Sequence, residues 1–254
     1  MQSFLKIIFI SIISILILSG KKDNQTTVFL MGDSTCAEKL ENKRPETGWG
    51  EKIAQYFNND VCFKNYAKNG RSTKTFISEG LWDSVYNQLK KDDYVFIQFG
   101  HNDASTSKAE RYTPPQDFMN NEKIFIEKIR EKGAIPVLLT PVCRRRWDDN
   151  NFYDSHGIYS NLTRAVAAET KTTLLDAHLA TMALLVQLGE EESAKLFLHC
   201  QVDEYLNYPE GKEDNTHFND YGATIAAGLI ANLIRNSDLA LKKQLQESTQ
   251  SHIR

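Results

Sequence analysis

Short apolar runs alternate with longer segments of helical periodicity from residue 27 onward. The runs have the length of strands, and several lack polar alternation, which is typical of a sheet covered on both faces; they are 27–32, 61–67, 93–100, 134–142 and 172–177. The segments with helical periodicity are 48–58, 73–90, 115–132, 157–170, 178–188 and 219–235. This order predicts a parallel three-layer α/β/α sandwich over residues 27–240.

Two terminal segments differ from this pattern. A lone Lys6 precedes an apolar run, Ile7 to Leu18, which is short for a membrane span and has the build of a secretory h-region. Residues 1–22 are therefore predicted to be a signal peptide or a retained N-terminal anchor, since no clear cleavage site follows, and the protein is expected to be exported to the periplasm or beyond the cell. Residues 236–254, rich in Lys, Gln and Ser, predict a fraying helical end whose last part, 241–254, is a polar tail.

Composition narrows the possible classes of function. A chain of 254 residues with 41% hydrophobic residues fits one globular domain, and a formal net charge of −3 gives no general attraction to nucleic acid. The four cysteines are widely spaced, with no C-x-x-C and no Cys/His pairing at ligand spacing, which argues against a structural zinc site. Free thiols and a disulfide both stay open.

Polar motifs follow three of the predicted strands and precede the last helix. They are Gly32-Asp33-Ser34-Thr35, Asn69-Gly70-Arg71-Ser72, Gly100-His101-Asn102-Asp103 and Asp214-x-x-His217. Because sites in open parallel sheets form beyond the carboxyl ends of the strands, these four segments are expected to converge. Taken alone, Ser34 fits a helix N-cap as well as a nucleophile.

The residue types in these motifs suit acyl transfer. A serine hydroxyl needs a base and the base needs an orienting group, roles that His217 and Asp214 can fill for Ser34. The backbone N–H groups of Ser34 and Gly70 and the side-chain amide of Asn102 are candidate oxyanion donors. His101 and Asp33 are interpreted as supporting hydrogen-bonding residues and Asp103 as structural. This chemistry requires no metal and no organic cofactor.

The four motifs, in this order, resemble the four blocks of the SGNH (GDSL-type) hydrolase superfamily and, more narrowly, its rhamnogalacturonan acetylesterases. The resemblance implies a flavodoxin-like sheet of strand order 2-1-3-4-5, with Ser34 as nucleophile, Gly70 and Asn102 in the oxyanion hole, and Asp214 with His217 as acid and base. It also implies an esterase that removes acetyl groups from a pectic polysaccharide. This exported enzyme is expected to be a monomer. Thr35 stands where many relatives carry Leu, a difference that is common in the acetylesterase branch.

Substrate recognition is less defined by the sequence. Arg71, Arg144, Arg145 and Arg146 either bind galacturonate carboxylates bidentately or form a solvated face. His156, with Trp147 and Tyr153, either lines a sugar cleft or packs in the core.

Three other functions compete with this reading. An acetylxylan esterase, or a lipase or thioesterase of the same superfamily, would keep the chemistry and change the substrate. A nucleotide-binding module is disfavoured because neither G-x-G-x-x-G nor G-x-x-x-x-G-K-[ST] follows a strand. A carbohydrate-binding protein without catalysis is disfavoured because every catalytic residue type is present.

Overall fold

A five-stranded parallel sheet forms the centre of the fold in the computed structural model, which describes residues 25–247. The strands of this part of the chain are β1 (Thr26–Gly32), β2 (Val61–Asn65), β3 (Tyr94–Gln98), β4 (Ile135–Leu139), β5 (Trp147–Asp148), β6 (Asn151–Phe152), β7 (Thr173–Leu175), β8 (Phe197–Cys200) and β9 (Lys212–Phe218). The central sheet has the order β2-β1-β3-β4-β7. This arrangement confirms the predicted order, with β7 as the fifth strand.

Helices occur at all the predicted segments, with changed bounds. They are α1 (Trp49–Lys52), α2 (Thr73–Ser78), α3 (Leu81–Tyr86), α4 (Pro115–Glu131), α5 (Tyr159–Thr170), α6 (Ala177–Ala194) and α7 (Asp220–Arg235), with 3-10 turns at Glu41–Lys43, Ile53–Tyr56 and Ala240–Gln244. The single helix predicted over 73–90 is two helices, because Gly80 between α2 and α3 has a left-handed φ of 72°. Gly189, with φ 75° and ψ −179°, likewise kinks α6 beyond its predicted end.

Alternate residues of the central strands bury opposite faces of the sheet. Leu30 of β1 packs in the cluster that includes Trp49 of α1 and Ile230 of α7, whereas Phe29 and Met31 pack in the cluster that contains side chains of α2, α3, α4 and α5. Full burial of such a side chain is worth roughly 1.5–3 kcal/mol. Two such layers explain why the strands lack polar alternation, and they confirm the three-layer architecture.

Two short antiparallel hairpins beside the central sheet were not predicted. β5 pairs with β6, and β8 pairs with β9 with a register shift between Phe197 and Leu198. The second hairpin escaped prediction because β9 reads Lys-Glu-Asp-Asn-Thr-His-Phe, which has no apolar alternation.

The C-terminal segment is docked on the domain as far as residue 246, whereas the sequence predicted a fraying end. Leu241 is 1% exposed in the core, Leu245 forms a β-bridge with Phe57, and the backbone N–H of Gln246 donates to the carbonyl of Tyr56 at 2.9 Å. Apolar Leu239, Leu241 and Leu245 therefore dock a segment that its polar neighbours suggested was solvated. The remainder of the predicted tail and the predicted signal peptide or anchor lie outside the described residues. Within residues 25–247, no helix combines the length and the apolar character needed to cross a membrane.

All four cysteines are free. Cys36, Cys143 and Cys200 are buried, and Cys62 on β2 is half-buried. Of the two alternatives left open by the sequence, the structure therefore has the free thiols.

A buried glutamate makes the stability of the fold depend on pH. Oε1 of Glu122 in α4 accepts a hydrogen bond of 2.9 Å from Thr163 of α5, while its buried Oε2 has no partner among residues 25–247. Burial raises the pKa of Glu122 to about 8. The carboxyl group therefore stays neutral in the folded protein while it ionises above its ordinary pKa in the unfolded chain, so the folded state loses relative stability as pH rises toward 8.

Glu122→Gln is expected to remove this loss. A pKa unit corresponds to roughly 1.4 kcal/mol. The free energy of unfolding of the variant should therefore exceed that of wild type by about 3–5 kcal/mol at pH 8.5 and should be close to it at pH 4.5. Denaturant titrations at the two pH values measure the difference, with Glu127→Gln, an exposed site on the same helix, as control. A gain of equal size at both pH values would contradict the buried-acid explanation.

Candidate active site

Ser34 lies in the tight turn that follows β1. The carbonyl of Asp33 accepts the N–H groups of Cys36 and Ala37 at 3.2 and 3.0 Å, and Oδ1 of Asp33 accepts the N–H of Thr35 at 2.9 Å. No helix begins at Ser34 in the described chain, and its hydroxyl lies 2.9 Å from Nε2 of His217. The N-cap interpretation of Ser34 is therefore wrong.

His217 and Asp214 reach Ser34 from β9, at the other end of the chain. Nδ1 of His217 lies 2.8 Å from Oδ2 of Asp214, and Oδ1 of Asp214 accepts the N–H groups of Thr216 and His217 at 2.8 and 3.0 Å. With the Nδ1 hydrogen donated to Asp214, the lone pair of Nε2 faces the Ser34 hydroxyl. This row of three side chains has the geometry of a serine nucleophile with its base and orienting acid.

The Asp214 carboxylate stays ionised for a specific reason. Burial alone would raise its pKa, but the hydrogen bond and charge of His217, together with the N–H groups of His217 and Thr216, hold the pKa of Asp214 well below its ordinary value. A negative charge is thus fixed beside the ring that would become an imidazolium during proton transfer. This charge favours the protonated ring at the moment when Ser34 gives up its proton.

Hydrogen bonds connect the Gly70 loop with Asn102, two of the three segments that carry candidate oxyanion donors. Gly70 has a left-handed φ of 78°, and a Cβ at this position would lie 3.2 Å from Nη1 of Arg111. Nδ2 of Asn102 donates one hydrogen to the carbonyl of Arg71 at 2.9 Å, and Oδ1 of Asn102 accepts from Arg111 at 3.0 Å. The hydrogen bonds of the described residues include none donated by the backbone N–H of Ser34 or Gly70. Both N–H groups and the second Asn102 hydrogen are therefore available to a substrate oxygen.

Two functional residues of this site were missed in the sequence. Arg111 fixes which way the Asn102 amide faces, and Lys39, with a side chain 0% exposed, donates from Nζ to the carbonyl of Ser34 and to Oδ1 of Asn69. Glu46 balances the buried Lys39 ammonium at 2.7 Å. Lys39 thus joins the nucleophile turn to the Asn69-Gly70 loop. In the sequence, Lys39 stands among other charged residues, as on an ordinary solvated face, so no local pattern predicts its role.

His101 and Asp33 support the nucleophile turn from beneath. Nδ1 of His101 lies 3.0 Å from Oδ2 of Asp33, and both side chains are buried. Burial tends to raise the pKa of Asp33, but the His101 and Thr35 contacts outweigh it and lower the pKa to about 2. Asp103 instead accepts the N–H and hydroxyl of Thr73 at 2.9 and 2.6 Å, and burial raises its pKa to about 6. These contacts agree with a supporting role for His101 and Asp33 and a structural one for Asp103.

The predicted substrate-binding residues separate into different environments. Arg71 pairs with Glu79 at 2.7 Å, Arg144 donates to the carbonyl of His101 at 3.0 Å, and Arg145 donates to Oδ1 of Asn215 at 2.8 Å, beside Asp214. These three guanidinium groups are already engaged by the protein. His156 requires a correction: it is 1% exposed and its Nε2 lies 3.1 Å from Nε2 of His101, so it cannot contact a polymer.

A polar cleft of about 430 Å³ opens next to β9, the strand that carries Asp214. Its lining consists of two arginines, two glutamates and four other residues: Arg145, Arg146, Glu190, Glu213, Trp147, Tyr153, His199 and Asn215. Tyr153 is 49% exposed, and Trp147 packs edge-on against Phe152 with ring centroids 5.3 Å apart. The cleft thus combines one uncommitted guanidinium with two aromatic rings that can stack on sugars, which favours the cleft over the core for Trp147 and Tyr153.

Comparison with known proteins assigns the class. Residues 30–225 match the GDSL-like Lipase/Acylhydrolase family; the chain belongs to this family and is a carboxylic ester hydrolase. Rhamnogalacturonan acetylesterase RhgT of Bacillus subtilis (strain 168) is 39% identical over 219 residues, which are 86% of this chain and 93% of that protein.

Two solved structures share the fold. The Bacillus subtilis protein YxiM superposes with a TM-score of 0.73 at 23% identity, over 85% of this chain and 58% of that one. Axe2, an acetylxylan esterase from Geobacillus stearothermophilus, gives 0.57 at 16% identity, over 83% and 93%. At these identities the likeness concerns the fold alone.

Proposed function

We propose that the protein is a serine acetylesterase that removes O-acetyl groups from an acidic pectic polysaccharide of the rhamnogalacturonan type. The observation that carries the proposal is the row Ser34, His217 and Asp214, with contacts of 2.9 and 2.8 Å, in a chain 39% identical to a rhamnogalacturonan acetylesterase. The N-terminal apolar run supports export of this enzyme, as a polymer substrate outside the cytoplasm requires, and a monomer suffices because one chain contributes the whole row.

The reaction follows from this geometry in two steps. Ser34 Oγ attacks the acetyl carbonyl carbon while Nε2 of His217 takes the hydroxyl proton, and the oxyanion is held by the N–H groups of Ser34 and Gly70 and by Asn102. The bond to the sugar oxygen breaks, and His217 returns the proton to that oxygen. A water molecule then attacks the acetyl-serine with His217 again as base, which releases acetate and regenerates Ser34. The scheme needs no metal or organic cofactor at the reacting atoms.

Arg146 is the arginine that best fits a carboxylate of the polymer. It lines the cleft beside β9, and the described residues supply no hydrogen-bond acceptor to its guanidinium, in contrast to Arg71, Arg144 and Arg145. A bidentate bond from arginine to galacturonate is worth roughly 1.5–3 kcal/mol. The set of four predicted arginines therefore reduces to Arg146 as the proposed contact.

Arg146→Gln is expected to slow acetate release from acetylated rhamnogalacturonan by about tenfold or more in kcat/KM and to leave p-nitrophenyl acetate hydrolysis nearly unchanged. Added salt should reproduce part of the loss on the acidic polymer only. Arg235→Gln, which removes the same charge at the far end of α7, is the matched control.

Acetylated xylan in the same assay separates the rival substrate. Faster acetate release from xylan than from rhamnogalacturonan, with no effect of Arg146→Gln on either polymer, would reject the pectic proposal in favour of an acetylxylan esterase. Equal losses on polymer and small ester would instead place Arg146 in the support of the reacting groups.

A further inference from the structure

Four side chains outside the catalytic row meet behind it although their positions in the sequence gave no metal-ligand spacing. Sγ of Cys143, a carboxylate oxygen of Asp154 and one ring nitrogen each of His156 and His178 all lie within 4.8 Å of one another. Cys143 follows β4, Asp154 and His156 follow the β5–β6 hairpin, and His178 lies in the first turn of α6. Sequence spacing missed the group because tertiary structure brings three separate segments together.

The distances suit one small cation. Oδ1 of Asp154 lies 3.2 Å from Nδ1 of His156 and 3.1 Å from Nε2 of His178. Tetrahedral zinc with bonds of about 2.0–2.3 Å places its ligand atoms roughly 3.3–3.8 Å apart, so modest side-chain shifts would complete the geometry. One thiolate, one carboxylate and two imidazoles are all ligands that zinc accepts, and their two negative charges match a dication.

His178 supplies an independent sign of a missing partner. Its side chain is 4% exposed, and Nε2 lies 3.1 Å from an Asp154 oxygen but makes no hydrogen bond that meets geometric criteria within the described residues. A buried imidazole nitrogen left without a partner is costly. One ring nitrogen of His178 lies within 4.8 Å of a possible ligand atom of each of Cys143, Asp154 and His156.

A second sign of a missing ion comes from the row of four side chains that runs from Asp33 through His101 and His156 to Asp154. Its three contacts are Asp33 with His101 at 3.0 Å, His101 with His156 at 3.1 Å, and His156 with Asp154 at 3.2 Å. Each contact joins two lone-pair atoms and needs one hydrogen or cation between them, yet two neutral rings provide only two hydrogens. If these lie in the first two contacts, Nδ1 of His156 presents a lone pair beside the Asp154 carboxylate, and a metal ion there completes the row.

We propose that Cys143, Asp154, His156 and His178 bind one structural zinc-type dication. The ion would fasten the β5–β6 hairpin, which carries Trp147 and adjoins Tyr153 of the cleft, to the start of α6. His101 would be its outer hydrogen-bond partner, and Asp33 would link it to the turn of Ser34. The ion stands apart from the reacting atoms, so the inference does not rest on the proposed substrate.

One contact defines the competing arrangement. Nη2 of Arg164, which also binds Asp176, lies 3.3 Å from Nδ1 of His178. If Arg164 donates to that nitrogen, Nε2 of His178 carries the hydrogen and cannot bind a metal, and the third contact of the row then holds a proton. Because a guanidinium can only donate, metal binding requires that Arg164 give up this contact and that His178 carry its hydrogen on Nδ1.

The test uses the whole protein, purified without chelators or a metal column. Elemental analysis should find about one zinc per chain, and zinc at 100 times its dissociation constant should raise the Tm of the metal-free protein by roughly 5–10 °C. Cobalt(II) in place of zinc should give tetrahedral visible bands and a thiolate charge-transfer band. Cys143→Ser should abolish the charge-transfer band, and Cys62→Ser, a cysteine on β2, should keep it.

Asp154→Asn is a second variant that is expected to fold even if Cys143→Ser does not, because the Asp154 side chain is 34% exposed. It should weaken zinc binding by more than the roughly 10–100-fold that loss of an outer hydrogen-bond partner costs, with the far-UV spectrum retained. Absence of stoichiometric zinc together with no cobalt–thiolate band would overturn the proposal in favour of the proton. Unchanged zinc affinity in both Cys143→Ser and Asp154→Asn would overturn the proposal as well, since the ion would then bind elsewhere. These readouts are independent of ester hydrolysis, so they do not depend on the proposed function.

Discussion

Ser34→Ala and His217→Ala should each lower kcat by roughly 10⁶-fold, and the double variant should be little worse than either one. The reason is the 2.9 Å contact between Oγ of Ser34 and Nε2 of His217. A serine without its base remains a weak nucleophile, and a base without the serine has no proton to take. Because both residues act in the same step, removing either one already loses nearly the whole rate enhancement, and removing the second costs little more.

The measurement is steady-state hydrolysis of p-nitrophenyl acetate, with far-UV circular dichroism to show that each variant is folded. Ser78→Ala, an exposed serine at the end of α2, is the matched control and should retain wild-type rates. Losses that multiply in the double variant would mean that Ser34 and His217 act in different steps. The proposed acetyl-enzyme mechanism would then have to be abandoned.

Asp214→Asn should lower kcat by about 10⁴-fold while leaving the fold intact. Nδ1 of His217 lies 2.8 Å from Oδ2 of Asp214, and an asparagine amide can donate a hydrogen at the same place. The ring would then keep its own hydrogen on Nε2, facing Ser34, and could not accept the serine proton. Truncation to Ala would lose the same orientation but would not impose the wrong tautomer.

Rates measured with p-nitrophenyl acetate and with the acetylated polymer should fall by the same factor in Asp214→Asn, because the change affects the chemical step. Asp203→Asn, an exposed position on the loop between β8 and β9, is the control. A variant with unchanged kcat and a raised KM would show that Asp214 positions the polymer rather than the imidazole.

The apolar strands carried most of what the sequence could predict about the fold. Five apolar runs predict a parallel sheet, since strands covered on both faces can omit polar positions. The order of those strands came from the resemblance to the SGNH hydrolases, because hydrophobic periodicity describes each element alone. The break at Gly80 was missed for a related reason: a glycine inside a helical pattern does not reveal whether its φ is left-handed.

The candidate site was predictable where its residues stand in short motifs and unpredictable where tertiary packing selects them. Ser34 and Asp214-x-x-His217 are recognisable locally, whereas Lys39 and Arg111 act through contacts with Asn69 and Asn102 that no spacing reveals. His156 shows the opposite error, since a polar residue near a predicted cleft proved to be buried beneath the site.

The base and the nucleophile stand 183 residues apart, and in the part of the chain that the structure describes β9 pairs with β8 rather than with the central sheet. The β1–β3 half of the domain can emerge and pack before the segment that holds His217 has been synthesised. Until the late hairpin docks, Ser34 is an ordinary alcohol on a partly finished scaffold. Ester hydrolysis is thus a reporter of completed folding, and an interrupted chain would be catalytically silent however well its first strands had assembled.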